Sequence, residues 1–587
     1  MTVVSRSAAV REPASQSPTL VSGARRGRWM LVLGIVLAVA LGLRVWGAGQ
    51  GLPFAYNPDE QYHFVPKAVR FYETGDFNPH YFINPPGLTY MLYGVFGVRY
   101  GGSDGVVEAF ASDPGGVFLT ARLAVAALGT LAVFLLYLAG ARLFDRRAGL
   151  LAAGLLAVSF LAVSWSHLAV NDVPTTVAVA LSLLGIAGIL RRGWALDYVL
   201  AGAGLGLACA IKYTAGIVIL PLLVAAAVRF RREGVSIAPR LGLALGATLA
   251  TFVLFNPYAL LAPREFVDGL LYLSVTPEGE PKLGQADKNG ILYYVWALSW
   301  GLGWVPSLAA LGGAATAFLR DRVVALLLVP APILYILFMG VQERYFGRWL
   351  LPVLPIICLL AAYGTLALLD ALRRRRGSVV AAAAAVAFVV ALLAQSVLYS
   401  VHNDFVLSRA DTRNLTRDWM FENVPPRTRV FFDRVAPPPW FLDSGTPSPI
   451  GKATPRWRGF PLGRALAIGH LAPPAILAKR LQPEDYTRRL QPGLIDVFEQ
   501  QRVCWVVVGS FQYGRAFAEP EKVPQAVSFY NQLARRARVA YSASPYDPGE
   551  GPVAFNFDWS TDYYPLAYHR PGPEMIVYRL SGGRCAS

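Results

Sequence analysis

The feature that most constrains this chain is a succession of apolar runs, each about as long as a helix needs to cross roughly 30 Å of hydrocarbon, separated by short stretches that carry arginine. Such runs fall near residues 29–46, 117–143, 147–168, 173–190, 196–212, 213–230, 240–260, 290–319, 322–341, 349–371 and 378–400. The expected fold is therefore mainly α, a polytopic membrane protein with about eleven transmembrane helices. Composition agrees, because 55% apolar and only 16% charged residues in a 587-residue chain are wrong for a soluble protein. A net charge of +17 would suit nucleic acid, yet the basic residues sit in clusters between apolar runs. That split reads as membrane orientation, and no nucleic-acid partner is expected.

The arginines set the expected topology. Arg25, Arg26 and Arg28 precede the run from Trp29 to Trp46, and no small-residue cleavage site follows. The run reads as an anchor with a cytoplasmic N-terminus. Alternate loops then collect Arg142/Arg146/Arg147, Arg191/Arg192, Arg229/Arg231/Arg232/Arg240, Arg320/Arg322 and Arg373 to Arg376. The opposite loops hold Asp59, Glu60, Glu73, Asp76, Asp104, Glu108 and Asp113, then Asp172, then a mixed set from Arg264 to Lys288. This count treats Pro86 to Val98 as re-entrant or interfacial, since it is too short to span.

Three regions follow. Residues 1–27 form a disordered basic cytoplasmic tail. Residues 28–400 form the membrane domain, with its first outside loop at 47–116. Residues 401–587, rich in Pro, Arg and Tyr, form an extracytoplasmic α/β domain. Strands are expected at Arg429 to Phe432, Cys504 to Val508 and Met575 to Tyr578, and a helix over Asp404 to Met420 that Pro425-Pro426 stops. Cys209 and Cys358 lie in apolar runs, whereas Cys504 and Cys585 are placed to pair if the C-terminal part lies outside the cytoplasm. The expected location is the plasma (inner) membrane of a bacterium, which the Arg- and Ala-heavy, Lys-poor composition also suggests.

Several polar residues gather on the expected outer face. Asn57-Pro58-Asp59-Glu60 reads as a helix start, with Asn57 as cap and Glu60 closing a capping-box-like arrangement. A carboxylate there is also placed to act as general base, and Asp59 and His63 share a helix face at i, i+4. Asn171-Asp172 can likewise cap the helix that Pro174 opens, with His167 just upstream. Carboxylates near bilayer depth are costly unless they pair or face a wet cavity, so both acids are candidate functional residues. Lys212 and Tyr213 sit at an outer turn, and Arg344-Tyr345-Phe346-Gly347-Arg348 occupies another. Arg near a membrane end often just reaches for headgroups, but its planar fork also suits a lipid phosphate. Asn84-Pro85-Pro86-Gly87, followed by Tyr90 and Tyr93, reads as a turn that holds the interfacial segment. His80, Glu73 and Asp76 do not have the spacing of a tight ligand set with Asp59, and neither a metal nor any other cofactor is expected.

Together these pieces resemble the GT-C superfold of lipid-phosphate-sugar-dependent glycosyltransferases, in the branch of protein O-mannosyltransferases and bacterial aminoarabinose transferases. The matching pieces are Asp59-Glu60, Asn84-Pro85-Pro86, Asp172-Val173-Pro174, Lys212, and Arg344-Tyr345 followed by Leu351-Pro352-Val353-Leu354-Pro355, over roughly residues 29–400. The resemblance implies transfer of a sugar, with inversion, from a polyprenyl-phosphate donor in the membrane to an extracytoplasmic glycan, lipid or protein hydroxyl. It implies Asp59 as base, Glu60 and Asp172 as acids that orient acceptor or sugar, and Lys212 and Arg344 as phosphate contacts. His63, Asn84, Tyr90, His167, Tyr213, Tyr345 and Arg348 are further candidate substrate contacts. Aminoarabinose transferases tend to have Lys where this chain has Asn84, which argues against aminoarabinose and lipid A as substrates. Two other classes fit the composition: a transporter or flippase for a lipid-linked sugar, which is expected to show broken spans in repeated halves, and a non-catalytic envelope scaffold. No internal repeat is visible.

Overall fold

The computed structural model describes residues 23–275, 283–285, 289–342, 344–443, 454–473 and 485–586. The tail expected to be disordered lies almost wholly outside them, as do Lys282, Asp287 and Lys288 of the mixed outer loop and Glu343.

The described chain is a mainly α, polytopic membrane protein with a small β-sheet in its C-terminal region. Among the described residues eight helices are long and apolar enough to cross a membrane, or nine if Arg146–Val158 and Phe160–His167, bent by 57°, make one broken span. This falls short of the eleven expected, at two places. Ala195–Ile211 is a 17-residue apolar helix, slightly short of a span. Tyr213–Phe255 is one 43-residue helical run where two spans were expected, with a tight turn at Gly234–Ile237 inside it. Large apolar side chains such as Leu245, Leu249, Leu254, Leu311 and Val379 stand exposed on the helix bundle, as contact with lipid requires.

Small residues let the helices close up. Gly202 and Gly206 bring Ala195–Ile211 against Ala238–Phe255 so tightly that an added Cβ would collide with the Ala244 and Thr248 carbonyls. The arginine loops gather at one end of the bundle. Arg147 pairs with Asp370, and Arg191 donates to the Leu143 and Phe144 carbonyls. The first helix is tied in by buried polar groups: Arg44 donates to the carbonyls of Leu156 and Ala157.

At the other end, the first loop folds into helices Val65–Thr74, Gly87–Tyr100 and Ser103–Ser112. The segment expected to be re-entrant or interfacial is the 14-residue helix Gly87–Tyr100. The expected helix over Asp404 to Met420 is instead two: Ser378–Leu407, which carries the last span past residue 401, and Thr412–Asn423. Asp411 caps the second by accepting from the Arg413 amide, and it ends just before Pro425-Pro426.

The C-terminal sheet has five strands: β1 (Arg429–Phe432), β2 (Arg458–Gly459), β3 (Trp505–Gly509), β4 (Ala537–Ala543) and β5 (Met575–Leu580), in the order β2-β1-β3-β5-β4. The β1 pairings are parallel, and those of β5 with β3 and β4 antiparallel. All three strand segments read from the sequence are present. Val506 and Val508 point to one buried face and Val507 to the other, so the sheet is packed on both sides. Cys504 and Cys585 form a disulfide that closes the domain across a separation of 81 residues. The domain is docked on the bundle by the short helix Phe557–Asp562, whose Asp558 reaches Tyr293 and Gly347 of the membrane part.

Candidate functional site

At the bundle end that carries the C-terminal domain, four charged side chains from distant parts of the chain meet. Arg348 is the hub. Its guanidinium donates to Asp59 Oδ2 at 3.1 Å, and its other terminal nitrogen lies 3.9 Å from Asp172 Oδ2. Lys212 Nζ donates to Asp172 Oδ1 at 2.5 Å. The guanidinium lies over the Trp165 ring at 4.6 Å and near Phe346 at 5.1 Å, aromatic faces that suit a delocalised cation.

Local structure explains each placement. Asn57 Oδ1 accepts from the amides of Asp59 and Glu60, so it caps as the sequence suggests and fixes Asp59 at the mouth of a π-helical turn, Glu60–Phe64. Asp172 opens helix Asp172–Arg191, but no side chain caps that helix. The Asn171 amide donates to the Ile211 carbonyl, and Asp172 is left for Lys212. Lys212 is the extended residue between Ala195–Ile211 and the turn Tyr213–Val218, so its side chain leaves the helix line. Arg348 sits in a tight turn, Gly347–Leu350, after extended Phe346. Gly347 is needed there, because a Cβ would stand 2.7 Å from the Trp300 ring.

The electrostatics balance two acids against two bases. Burial disfavours the Arg348 cation, but Asp172 and Asp59 outweigh it and hold the group more firmly charged than an ordinary arginine. Burial lowers the Lys212 ammonium, with Asp172 pulling the other way. The acids differ in access: Asp59 keeps 29% of its side-chain surface and Asp172 only 3%.

The remaining candidates fall at varying distances from this cluster. His63 stacks on Tyr81 at 4.1 Å, and burial lowers its pKa while Asp59 opposes. Asn84 donates to the Tyr81 hydroxyl, and Tyr213 donates to the Phe82 carbonyl, so both support the loop beside Asp59. Arg344 is half-buried four residues before Arg348. Among the contacts described, Arg348 joins the two acids. Tyr345 is buried against Tyr293 at 4.5 Å.

Glu60, His167 and Tyr90 are placed elsewhere. Glu60 is fully buried and closed in a two-point pair with Arg122 at 2.8 Å, with the Ala169 amide donating to the same carboxylate. It neither closes a capping box nor faces the cluster. His167 is a core residue whose ring nitrogens lie against the carbonyls of Ser164, Leu43 and Trp46. The Tyr90 hydroxyl donates to the Phe77 carbonyl at the surface. His80 bridges Asp76 and Glu265, each at 3.0 Å, and among the described residues no group of three or more His, Cys, Asp or Glu has the geometry of a metal site.

Four contributors were not legible in the sequence. Tyr81 faces Asp59, and burial followed by that charge pushes its hydroxyl up to about 12. Trp165 supplies the ring under Arg348. The other two come from the C-terminal domain. Asp558 accepts from the Gly347 amide at 3.2 Å and from the Tyr293 hydroxyl, which pins the turn that carries Arg348. Asp562 is buried, and burial followed by the Asp558 charge pushes its carboxyl well above the usual range, with Arg348 opposing.

The fold and this site define a polytopic membrane protein with a balanced, partly open cluster of two acids and two bases at one end of its bundle. Residues 110–259, which include Asp172 and Lys212, match the family model described as dolichyl-phosphate-mannose-protein mannosyltransferase. No curated protein matches the chain. Among solved structures it is similar to ArnT from Cupriavidus metallidurans in the apo state, 15% identical over 94% of this chain and 98% of that one, TM-score 0.48. It is similar also to the Archaeoglobus fulgidus oligosaccharyltransferase in the apo form, 15% identical over 88% and 73%, TM-score 0.48. The S. cerevisiae protein O-mannosyltransferase Pmt1-Pmt2 complex bound to the sugar donor is 17% identical over 45% and 39%, TM-score 0.34.

Proposed function

We propose that this protein is a membrane glycosyltransferase of the GT-C type that moves a sugar from a polyprenyl-phosphate donor to a hydroxyl of an extracytoplasmic acceptor. The observation that carries the reading is the convergence of Asp59, Asp172, Lys212 and Arg348 at one end of an apolar bundle. The family match over residues 110–259 supports it, and so do the motifs over 29–400. The Cys504–Cys585 disulfide, at home in an oxidising compartment, supports an extracytoplasmic C-terminal domain, and the cluster lies at the bundle end on which that domain is docked.

The chemistry follows from access. Lys212 and Arg348 bind the donor phosphate, Arg348 through its planar fork. The incoming phosphate competes with both carboxylates for these cations. Asp172, almost wholly buried, stays to orient them, while the more exposed Asp59 is released to the solvent side. Asp59 then takes the proton of the acceptor hydroxyl as that oxygen bonds to the anomeric carbon and the bond from that carbon to the phosphate oxygen breaks. The attack comes from the face opposite the phosphate, so configuration inverts. The phosphate leaves ionised beside two cations, so it needs no general acid.

Incubating the purified protein with radiolabelled polyprenyl-phosphate sugar and a membrane extract tests this reading. A transferase gives labelled acceptor together with free polyprenyl phosphate. Label moved across vesicles with no product marks a transporter, and bound label that neither moves nor reacts marks a scaffold; either result rejects the reading.

A further inference from the structure

The C-terminal domain contains a cavity of about 500 Å³ that the cluster above does not use. The volume lies within the range of small-ligand sites, roughly 300–1,000 Å³. Its walls include the rings of Phe511, Tyr513, Tyr546 and Phe555, with Ser560 and Glu574 as polar points. Tyr546 is held in place, stacked on Tyr568 at 5.3 Å and backed by Gly551, where a Cβ would stand 2.6 Å from its ring. The Tyr513 hydroxyl donates to Glu574 Oε2, whereas among the described residues no hydrogen bond reaches Glu574 Oε1.

We propose that this cavity binds a saccharide, the acceptor glycan of the transfer reaction: aromatic faces cover the C–H faces of a sugar ring, and the open Glu574 oxygen accepts from its hydroxyls. The combination of large rings and a carboxylate with a vacant acceptor position selects the ligand class. An acyl chain would leave Glu574 Oε1 against hydrocarbon with no donor, which costs free energy. An anionic ligand would meet the Glu574 charge. A neutral polyol satisfies both kinds of wall.

Position argues the same way. Ser560 lines the cavity and lies on helix Phe557–Asp562, while Asp558 on the same helix accepts from the Gly347 amide of the Arg348 turn. Residues two apart on a helix point to nearly opposite sides. The cavity and the turn that carries Arg348 thus lie on opposite sides of one helix, whose thickness is about 10–12 Å. A glycan held in the cavity by an inner residue reaches round the helix with its end toward Asp59. This rests on the transferase reading only in naming the saccharide as the acceptor.

The test uses the full chain in detergent, without donor, titrated calorimetrically with short α-linked mannan and arabinan oligosaccharides and, separately, with polyprenyl phosphate. At least one oligosaccharide is expected to bind. Tyr546→Ala and Glu574→Gln should each weaken it about tenfold, the scale of one lost aromatic or hydrogen-bonded contact. In the transfer assay the same variants should raise the acceptor KM by a similar factor, with kcat and donor KM unchanged. The milder Tyr546→Phe, which keeps the platform, should stay near wild type. The inference is overturned if no oligosaccharide binds, if both variants bind and transfer normally, or if they weaken only polyprenyl phosphate. Saccharide binding that is lost in the variants, in a protein that never transfers label, would uphold the cavity and overturn the transferase reading.

Discussion

Asp59 and Glu60 are adjacent acids in one turn, capped by the same Asn57, yet they sit in different regions of the molecule. Asp59 keeps 29% of its side-chain surface and shares Arg348 with Asp172. Glu60 points inward, has no exposed surface, and is closed on Arg122 and the Ala169 amide. A carboxylate that is wholly buried and already accepts three hydrogen bonds is not open to a substrate proton, whereas a part-exposed one held by a single shared cation is. The comparison separates a fully buried ion pair of the scaffold from a part-exposed one that the proposed mechanism requires to exchange partners.

Substitutions at four positions bear on it. The largest effect on stability is expected from Glu60→Gln, which leaves Arg122 as an uncompensated buried charge. Such a break costs about 3–5 kcal/mol, so thermal unfolding in detergent should move sharply down, and an unchanged Tm would erase the distinction. Next comes Arg348→Lys, which keeps the charge but loses the fork. A charge-assisted hydrogen bond is worth about 1.5–3 kcal/mol, so donor affinity should fall about ten- to a hundredfold while Tm barely moves. Asp558→Ala removes both bonds that pin the Gly347 turn. A buried hydrogen bond contributes about 1 kcal/mol, so donor KM is expected to rise by roughly a factor of five to ten, and Asp558→Asn, which still accepts from the Gly347 amide, should recover part of it. The smallest change belongs to His63→Phe. The stack on Tyr81 survives, and transfer kinetics measured across pH 5 to 8 should stay within about threefold of wild type, since a ring that serves as packing carries no titration into the rate.

How far the sequence reaches can be followed along the same residues. The apolar runs, the arginine-rich end and three of the five strands are legible because they rest on local periodicity and charge. The number of spans is less so: whether 213–255 makes one crossing or two depends on the turn at Gly234–Ile237, and no apolar count encodes it. Asp59, Asp172 and Lys212 are legible as charges where charge is costly. Glu60 reads from the sequence as an acid that orients substrate because the partner that closes it into the core, Arg122, is 62 residues away. The tight turn after Phe346 that brings Arg348 to both acids carries no local signal. Asp558 and Asp562 carry no local signal at all, since Asp558 lies 211 residues from the Gly347 it holds.

The neighbouring acids also supply the most direct test. Purified Asp59→Asn, given radiolabelled polyprenyl-phosphate sugar and acceptor, should retain wild-type Tm and bind donor yet lose transfer by about 10²–10⁴-fold, the contribution of a positioned general base. Near-normal turnover in that variant would contradict the role assigned to Asp59 and, with it, the functional division between the two acids.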